Sequence, residues 1–118
     1  MKYKLFLDDM RYPTDNNWVI ARNMDDAVWY VTNYGLPHSI SFDHDLADDH
    51  YIIGQLHEKT GYDFAKWFTD HVVENQLTLP DGFSYQVHSM NPVGAENIGQ
   101  HMQAFTRRVS ESNGDREI

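Results

Sequence analysis

Three times along the chain a short β-forming run stops at acidic or imidazole side chains: Lys4–Leu7 at Asp8-Asp9, Ser39–Phe42 at Asp43-His44-Asp45, and Phe83–Val87 at His88-Ser89. Runs of this length with polar residues at their ends read as strands. Trp18–Ala21 is a fourth. Between them apolar residues recur at helical spacing. The first such stretch follows Asn23 and carries Ala27, Val28, Val31 and Tyr34; the second, residues 62–76, carries Phe64, Ala65, Phe68 and Val72. The third follows Asn91-Pro92 and carries Ala95, Ile98, Met102, Phe105 and Val109.

Strand, strand, helix, strand, helix, strand, helix is an order that predicts a mainly parallel sheet of four strands with right-handed crossovers, an α/β fold. Residues 9–17 join the first two strands, close to the minimum of about 10–12 residues for a parallel crossover. A helix there is expected to be reduced to a loop. The alternating Phe83–Val87 run suits a strand covered on one face at the sheet edge.

The 118 residues allow one core, so a single domain over 1–110 is expected, with 111–118 as a flexible tail. No cysteine is present, which excludes disulfides and thiolate metal sites and leaves oxygen and imidazole as ligands. No stretch suits a signal peptide or membrane span, so the expected location is cytoplasmic. A net charge of −9 disfavours a long nucleic-acid duplex as partner. A small anion remains admissible if a cation offsets the carboxylates.

Ligands of open parallel sheets bind beyond the carboxyl ends of the strands. Asp8, Asp9, Asp43, His44, Asp45 and His88 all fall there. If the first and third strands are neighbours, about 4.8 Å apart, their carboxylates repel unless a proton or cation intervenes. A divalent metal is the economical solution: these oxygens favour Mg²⁺, Mn²⁺ or Ca²⁺, the first two foremost, and the nearby histidines also admit a transition metal. The spacing is not that of a calcium EF-hand, since the twelfth position from Asp43 is Gly54. Thr60-Gly61-Tyr62-Asp63 reads as a capping box, and Asn91 as a helix cap, so neither Asp63 nor Asn91 requires a ligand to explain it. Asp48, Asp49 and His50 read as a solvated loop. His38, His57, His71 and His101 read as structural or surface histidines.

Leu5-Phe6-Leu7-Asp8-Asp9-Met10-Arg11-Tyr12-Pro13, Ser41-Phe42-Asp43-His44-Asp45-Leu46, Gly61-Tyr62-Asp63, and His88-Ser89-Met90-Asn91-Pro92-Val93-Gly94 with Asn97-Ile98 together resemble the cyclic-phosphate processing receiver-like family. The resemblance extends to about residue 109. It implies a receiver-like, flavodoxin-like three-layer sandwich, with Asp8, Asp9 and Asp43 in the metal-holding positions of response-regulator receivers. A phosphorylation switch in such receivers also needs a lysine after the fifth strand, whereas the last lysine here is Lys66. Phosphorelay signalling is therefore disfavoured. The family's distinctive additions match His44, Asp45, His88, Ser89, Asn91 and Asn97, and its implied substrates are cyclic phosphates of nucleotides or RNA ends.

These readings lead to an expected metal-assisted phosphoesterase. His44 and His88 would act as base and acid, Asp45 would orient an imidazole or bind metal, and Arg11, Ser89, Asn91 and Asn97 would hold the phosphate. The alternatives are a non-catalytic protein that sequesters a cyclic nucleotide, as a regulator or viral counter-defence protein would, and a degenerate signalling receiver.

Overall fold

A computed structural model describes residues 2–15, 17–46 and 59–116, with side chains described as far as residue 110. Its elements are β1 (Lys4–Leu7), β2 (Trp18–Ala21), α1 (Met24–Tyr34), β3 (Ser39–Phe42), α2 (Gly61–Glu74), β4 (Ser84–Val87) and α3 (Pro92–Arg116). The strands form one sheet in the order β2-β1-β3-β4, every pair parallel. This is the parallel four-stranded α/β sheet that the order of elements predicts, in the receiver-like arrangement that the resemblance implies. No described helix is long and apolar enough to cross a membrane.

Alternation along the strands divides the sheet into two unlike faces. Leu5, Leu7, Ile40 and Phe42 point to one face and are fully buried. Against them pack Ala27 and Val31 of α1, Phe64, Phe68 and Val72 of α2, and Ile98, Met102 and Phe105 of α3, in one continuous cluster. Burial of each such large side chain is worth about 1.5–3 kcal/mol, so this face supplies most of the driving force for folding. The opposite face carries Phe6, Ser41 and Gln86 in one register row. The β1–β2 connection contains no helix among its described residues, as its length predicts, and the described helices all contribute to the first face. The second helical layer of a three-layer sandwich is thus absent among the described residues, and the row through Phe6 borders an open groove instead.

The helix ends follow local chemistry. Asn23 caps α1, its side chain accepting from the Asp26 N–H at 2.8 Å, and Gly35 ends it at φ 87°. Thr60 and Asp63 form the expected reciprocal capping box of α2. That helix begins at Gly61 and ends at Glu74, slightly ahead of the 62–76 span read from periodicity. Phe83 belongs to the turn before β4, its N–H bonded to the Pro80 carbonyl. The α3 backbone stays helical to Arg116, through most of the segment read as a tail.

Candidate functional site at the carboxyl edge of the sheet

Register places the site. Leu7 pairs with Phe42, and Phe42 with Val87, so the next residues of three adjacent strands are Asp8, Asp43 and His88. The ladder continues one step further, with the Asp43 N–H on the Leu7 carbonyl and the His88 N–H on the Phe42 carbonyl, both at 2.9 Å. By alternation their side chains lie on the same face as Phe6, Ser41 and Gln86. Asp8, Asp43 and His88 offer ligand atoms all within 4.8 Å of one another.

Asp8 is fully buried and richly bonded. Its Oδ1 accepts the backbone N–H groups of Met10 and Arg11, each at 2.8 Å, while Oδ2 accepts Arg11 Nε at 3.0 Å and lies 2.9 Å from His88 Nε2. Burial pulls this carboxyl upward, but the Arg11 and Met10 amides, His88 and the Arg11 guanidinium outweigh it and hold the group below the usual range. Arg11 Nη2 also approaches Asp43 Oδ2 at 3.7 Å, so one guanidinium serves two carboxylates. Arg22 fixes the loop that carries Arg11 by donating to the carbonyls of Asp8 and Arg11.

His88 is held from three sides. Its ring stacks on Phe6 with centroids 4.5 Å apart and planes 5° from parallel. Nδ1 lies 2.7 Å from Ser41 Oγ, which also accepts from Gln86 Nε2 at 3.0 Å. With the proton of a neutral imidazole on Nε2, the donors run in one direction along the row: Gln86 donates to Ser41, Ser41 to His88, and His88 to Asp8.

His44 forms a second arrangement beside the first. Its Nδ1 lies 2.8 Å from Asp45 Oδ1, which also accepts from Asn91 Nδ2 at 3.3 Å. The His44 bond and then, against partial burial, the Asn91 bond hold the Asp45 carboxyl below its ordinary range. The His44 ring packs on the backbone of Gly94, where a Cβ would overlap its atoms. Gly61 plays a similar part under Asp43: its N–H bonds the His44 carbonyl at 2.8 Å, and a Cβ there would overlap the Asp43 carbonyl oxygen. Two glycines therefore let the first turns of α2 and α3 close onto the 43–44 backbone and ring.

The family model of the cyclic-phosphate processing receiver domain matches residues 3–104. The chain belongs to that family. No curated protein and no solved structure matches it.

In this receiver domain the predicted residues divide into several groups. Asp8, Asp43 and His88 come together, with Arg11 across the two carboxylates. Asp9, the other expected metal carboxylate, stands outside that triad. Asn91 caps α3 through Oδ1 on the Gly94 N–H, and Ser89 accepts the Asn91 N–H, so both shape the turn into the helix. Asn97 is exposed on α3. Asp63 is occupied in its capping box, and His101, beside Thr69 and Tyr62, lies among structural contacts, as their sequence contexts suggest. Asp48, Asp49, His50 and His57 lie outside the described residues. Ser41, Gly61 and Gly94 stand inside the quoted motifs with no role assigned to them from sequence, and Gln86 lies outside those motifs. Alternation alone puts Ser41 opposite the core face, which was the available signal.

Proposed function

We propose that this receiver domain is a metal-assisted phosphoesterase that opens a cyclic phosphate on a nucleotide or RNA end. The observation that carries the reading is the adjacency of two units at one strand edge. One is the Asp8–Asp43–His88 triad with Arg11, the other the His44–Asp45 dyad.

Two carboxylates and an imidazole with mutually close donor atoms fit a divalent cation, and the nitrogen donor favours Mn²⁺ over Mg²⁺. Bound there, such an ion would draw charge from phosphoryl oxygens and acidify a water. Ser41, bonded to Nδ1, would set the orientation of the His88 ring.

The protein's own groups account for the remaining requirements. Asp45, kept ionised, accepts from His44 Nδ1–H and leaves Nε2 to take a proton from the attacking water. As the water oxygen bonds to phosphorus and one ester P–O bond breaks, the same proton passes from Nε2 to the departing alkoxide. Both nitrogens of His88 are engaged, so this proposal moves His88 from the acid role read from sequence to that of a ligand: Nε2 would exchange its bond to Asp8 for the cation, with the ring proton on Nδ1 donated to Ser41. Arg11, half exposed, supplies the positive charge facing the phosphate. Ser89 and Asn91 build the adjoining helix entrance, where backbone N–H groups favour an anion.

Incubation with a panel of cyclic nucleotides and Mn²⁺, then heat release and chromatography, tests the reading. Linear phosphate monoester is the expected product, and His44→Ala should abolish it. Recovery of intact bound nucleotide would replace hydrolysis with sequestration. Recovery of neither, with acetyl phosphate labelling Asp43, would point to a signalling receiver.

A further inference from the structure

The face of the sheet that no described helix covers holds a cavity of about 420 Å³, bordered by Phe6, Arg11, Tyr12, Trp18, Gln86 and His88 among others. This volume falls within the range of small-ligand sites, about 300–1,000 Å³. Arg11 and His88 belong also to the carboxyl-edge site, so the cavity and that site share a wall.

We propose that this cavity is a nucleobase subsite, and that the ligand is a single nucleoside cyclic phosphate lying with its phosphate at Arg11 and its base between the aromatic side chains. The inference rests on the phosphoesterase reading for the position of the phosphate and adds the class of group attached to it.

Three observations support that occupant over a base-free sugar phosphate or a long strand. First, aromatic surface is concentrated here and held in place. Trp18 meets Phe6 edge-on at 5.9 Å and carries Lys4 Nζ at 4.5 Å over its ring, while Tyr12 has the Arg22 guanidinium 4.6 Å from its centroid. Tyr12 is nonetheless 74% exposed, so its ring retains surface on which a base can stack. A sugar phosphate without a base has no use for such surface.

Second, Gln86 spends its amide nitrogen on Ser41, and its carbonyl oxygen has no partner among the described residues. An acceptor beside an aromatic wall suits the exocyclic amine of adenine, cytosine or guanine. Third, Arg11 is the one Lys or Arg among the described residues that line the cavity, with Lys4 and Arg22 behind its aromatic walls, while the chain as a whole carries −9. One phosphate is neutralised there, whereas a long backbone would meet repulsion.

The test is equilibrium binding by calorimetry to the whole chain, with Mn²⁺ present, of adenosine 2′,3′-cyclic phosphate and of 1-methoxyribose 2,3-cyclic phosphate, which lacks the base. The nucleotide should bind about tenfold tighter, the size of one base–aromatic stack. Trp18→Leu and, separately, the surface variant Tyr12→Ala should each shrink that ratio several-fold, and Gln86→Leu should shrink it for adenosine more than for uridine. Equal affinity for the two probes, or a ratio unchanged in all three variants, overturns the subsite. Turnover is read in parallel, which keeps the two proposals separable. Hydrolysis of both probes at one rate would leave the phosphoesterase reading standing without the subsite. Base-dependent binding without hydrolysis would do the reverse.

Discussion

His88 Nε2 and Asp8 Oδ2 stand 2.9 Å apart although the residues are separated by 80 positions, and this contact ties the last strand of the sheet to the first across the intervening β3. Because Asp8 is buried, removing its partner leaves part of a charged group less compensated. Ser41 loses a partner at the same time, and Phe6 its stacked ring. His88→Ala should lower unfolding free energy by roughly 2–3 kcal/mol. Urea denaturation measures it. A change below about 0.5 kcal/mol, the range of ordinary surface substitutions, would mean that the contact contributes nothing to the fold.

Two glycines of α3 separate function from stability. A Cβ at Gly94 would overlap the His44 ring, whereas a Cβ at Gly99 meets nothing within 4 Å. Both replacements raise helix propensity, worth up to about 1 kcal/mol. Gly99→Ala should therefore raise stability and leave turnover alone. Gly94→Ala should displace His44 from Asp45 and reduce kcat at least tenfold while the fold survives, because a misplaced proton-transfer group costs rate more than stability. Steady-state kinetics on the two variants side by side gives the answer, and equal kcat values would remove the His44 geometry from the mechanism.

The α2 entrance allows less adjustment. At Gly61 the obstructing atoms belong to the Asp43 and His44 backbone, which cannot swing aside as a side-chain tip can. Gly61→Ala should cost several kcal/mol or prevent folding, on the scale of severe overpacking. Thr60→Ala, which removes only one half of the capping box, should cost about 1 kcal/mol. Thermal melts of the pair would show the order, and a reversed order would contradict the close approach of α2 to the strand end.

How much of this could be read without coordinates depends on the range of the interaction. Asp63, Asn23 and Asn91 were legible because a cap involves residues three or four apart, and the element order needed only local periodicity. The union of Asp8 with Asp43 followed from placing β1 next to β3. Asp9 and His88 were harder, since which of two adjacent aspartates turns into the site depends on strand register, and the imidazole completing the triad lies on another strand. The Gln86–Ser41–His88 row is a cross-strand relation with no trace in spacing along the chain, apart from the parity that sets Ser41 opposite Phe42. The groove arises where no described helix covers the sheet, and the short 9–17 connection announced the lack of a helix there but not the aromatic lining it would expose.

Stability should fall as pH drops through neutrality, and His101 is one cause. Burial lowers the affinity of its ring for a proton; Asp70 pulls the other way, and Lys66 and Arg108 reinforce the burial. An unfolded histidine titrates near about 6.5. Below that value the unfolded chain takes up a proton that the native state resists, so the contribution is complete above about pH 6.5 and is lost as pH falls toward the lower native value. Melting temperatures between pH 7.5 and 5.5 should decline, and His101→Gln should flatten the decline. The depressed carboxyls of Asp8, Asp45 and Asp63 act in the same direction but lower, their contributions vanishing as pH falls below about 4. Identical slopes for wild type and His101→Gln above pH 5.5 would exonerate the histidine.

Arg11 makes the metal proposal testable through opposite signs. Its guanidinium lies on Asp8 at 3.0 Å and near Asp43 at 3.7 Å, so it neutralises the same carboxylates that a cation would use. Ion and arginine must then compete for Asp8 and Asp43. Addition of Mn²⁺ to the wild-type protein should raise the melting temperature, with a gain of about 2.7 kcal/mol at a hundredfold excess over Kd, and EDTA should reverse it. Asp43→Asn should cancel the gain. Arg11→Ala should tighten Mn²⁺ binding severalfold, since a competing positive charge has gone, and at the same time weaken retention of a cyclic phosphate, since the charge facing the anion has gone too. Calorimetric titration of each variant with Mn²⁺ and then with cyclic nucleotide measures both. If Arg11→Ala weakened Mn²⁺ binding, the arginine would be supporting the ion rather than standing in for it, and the competition for Asp8 would be refuted.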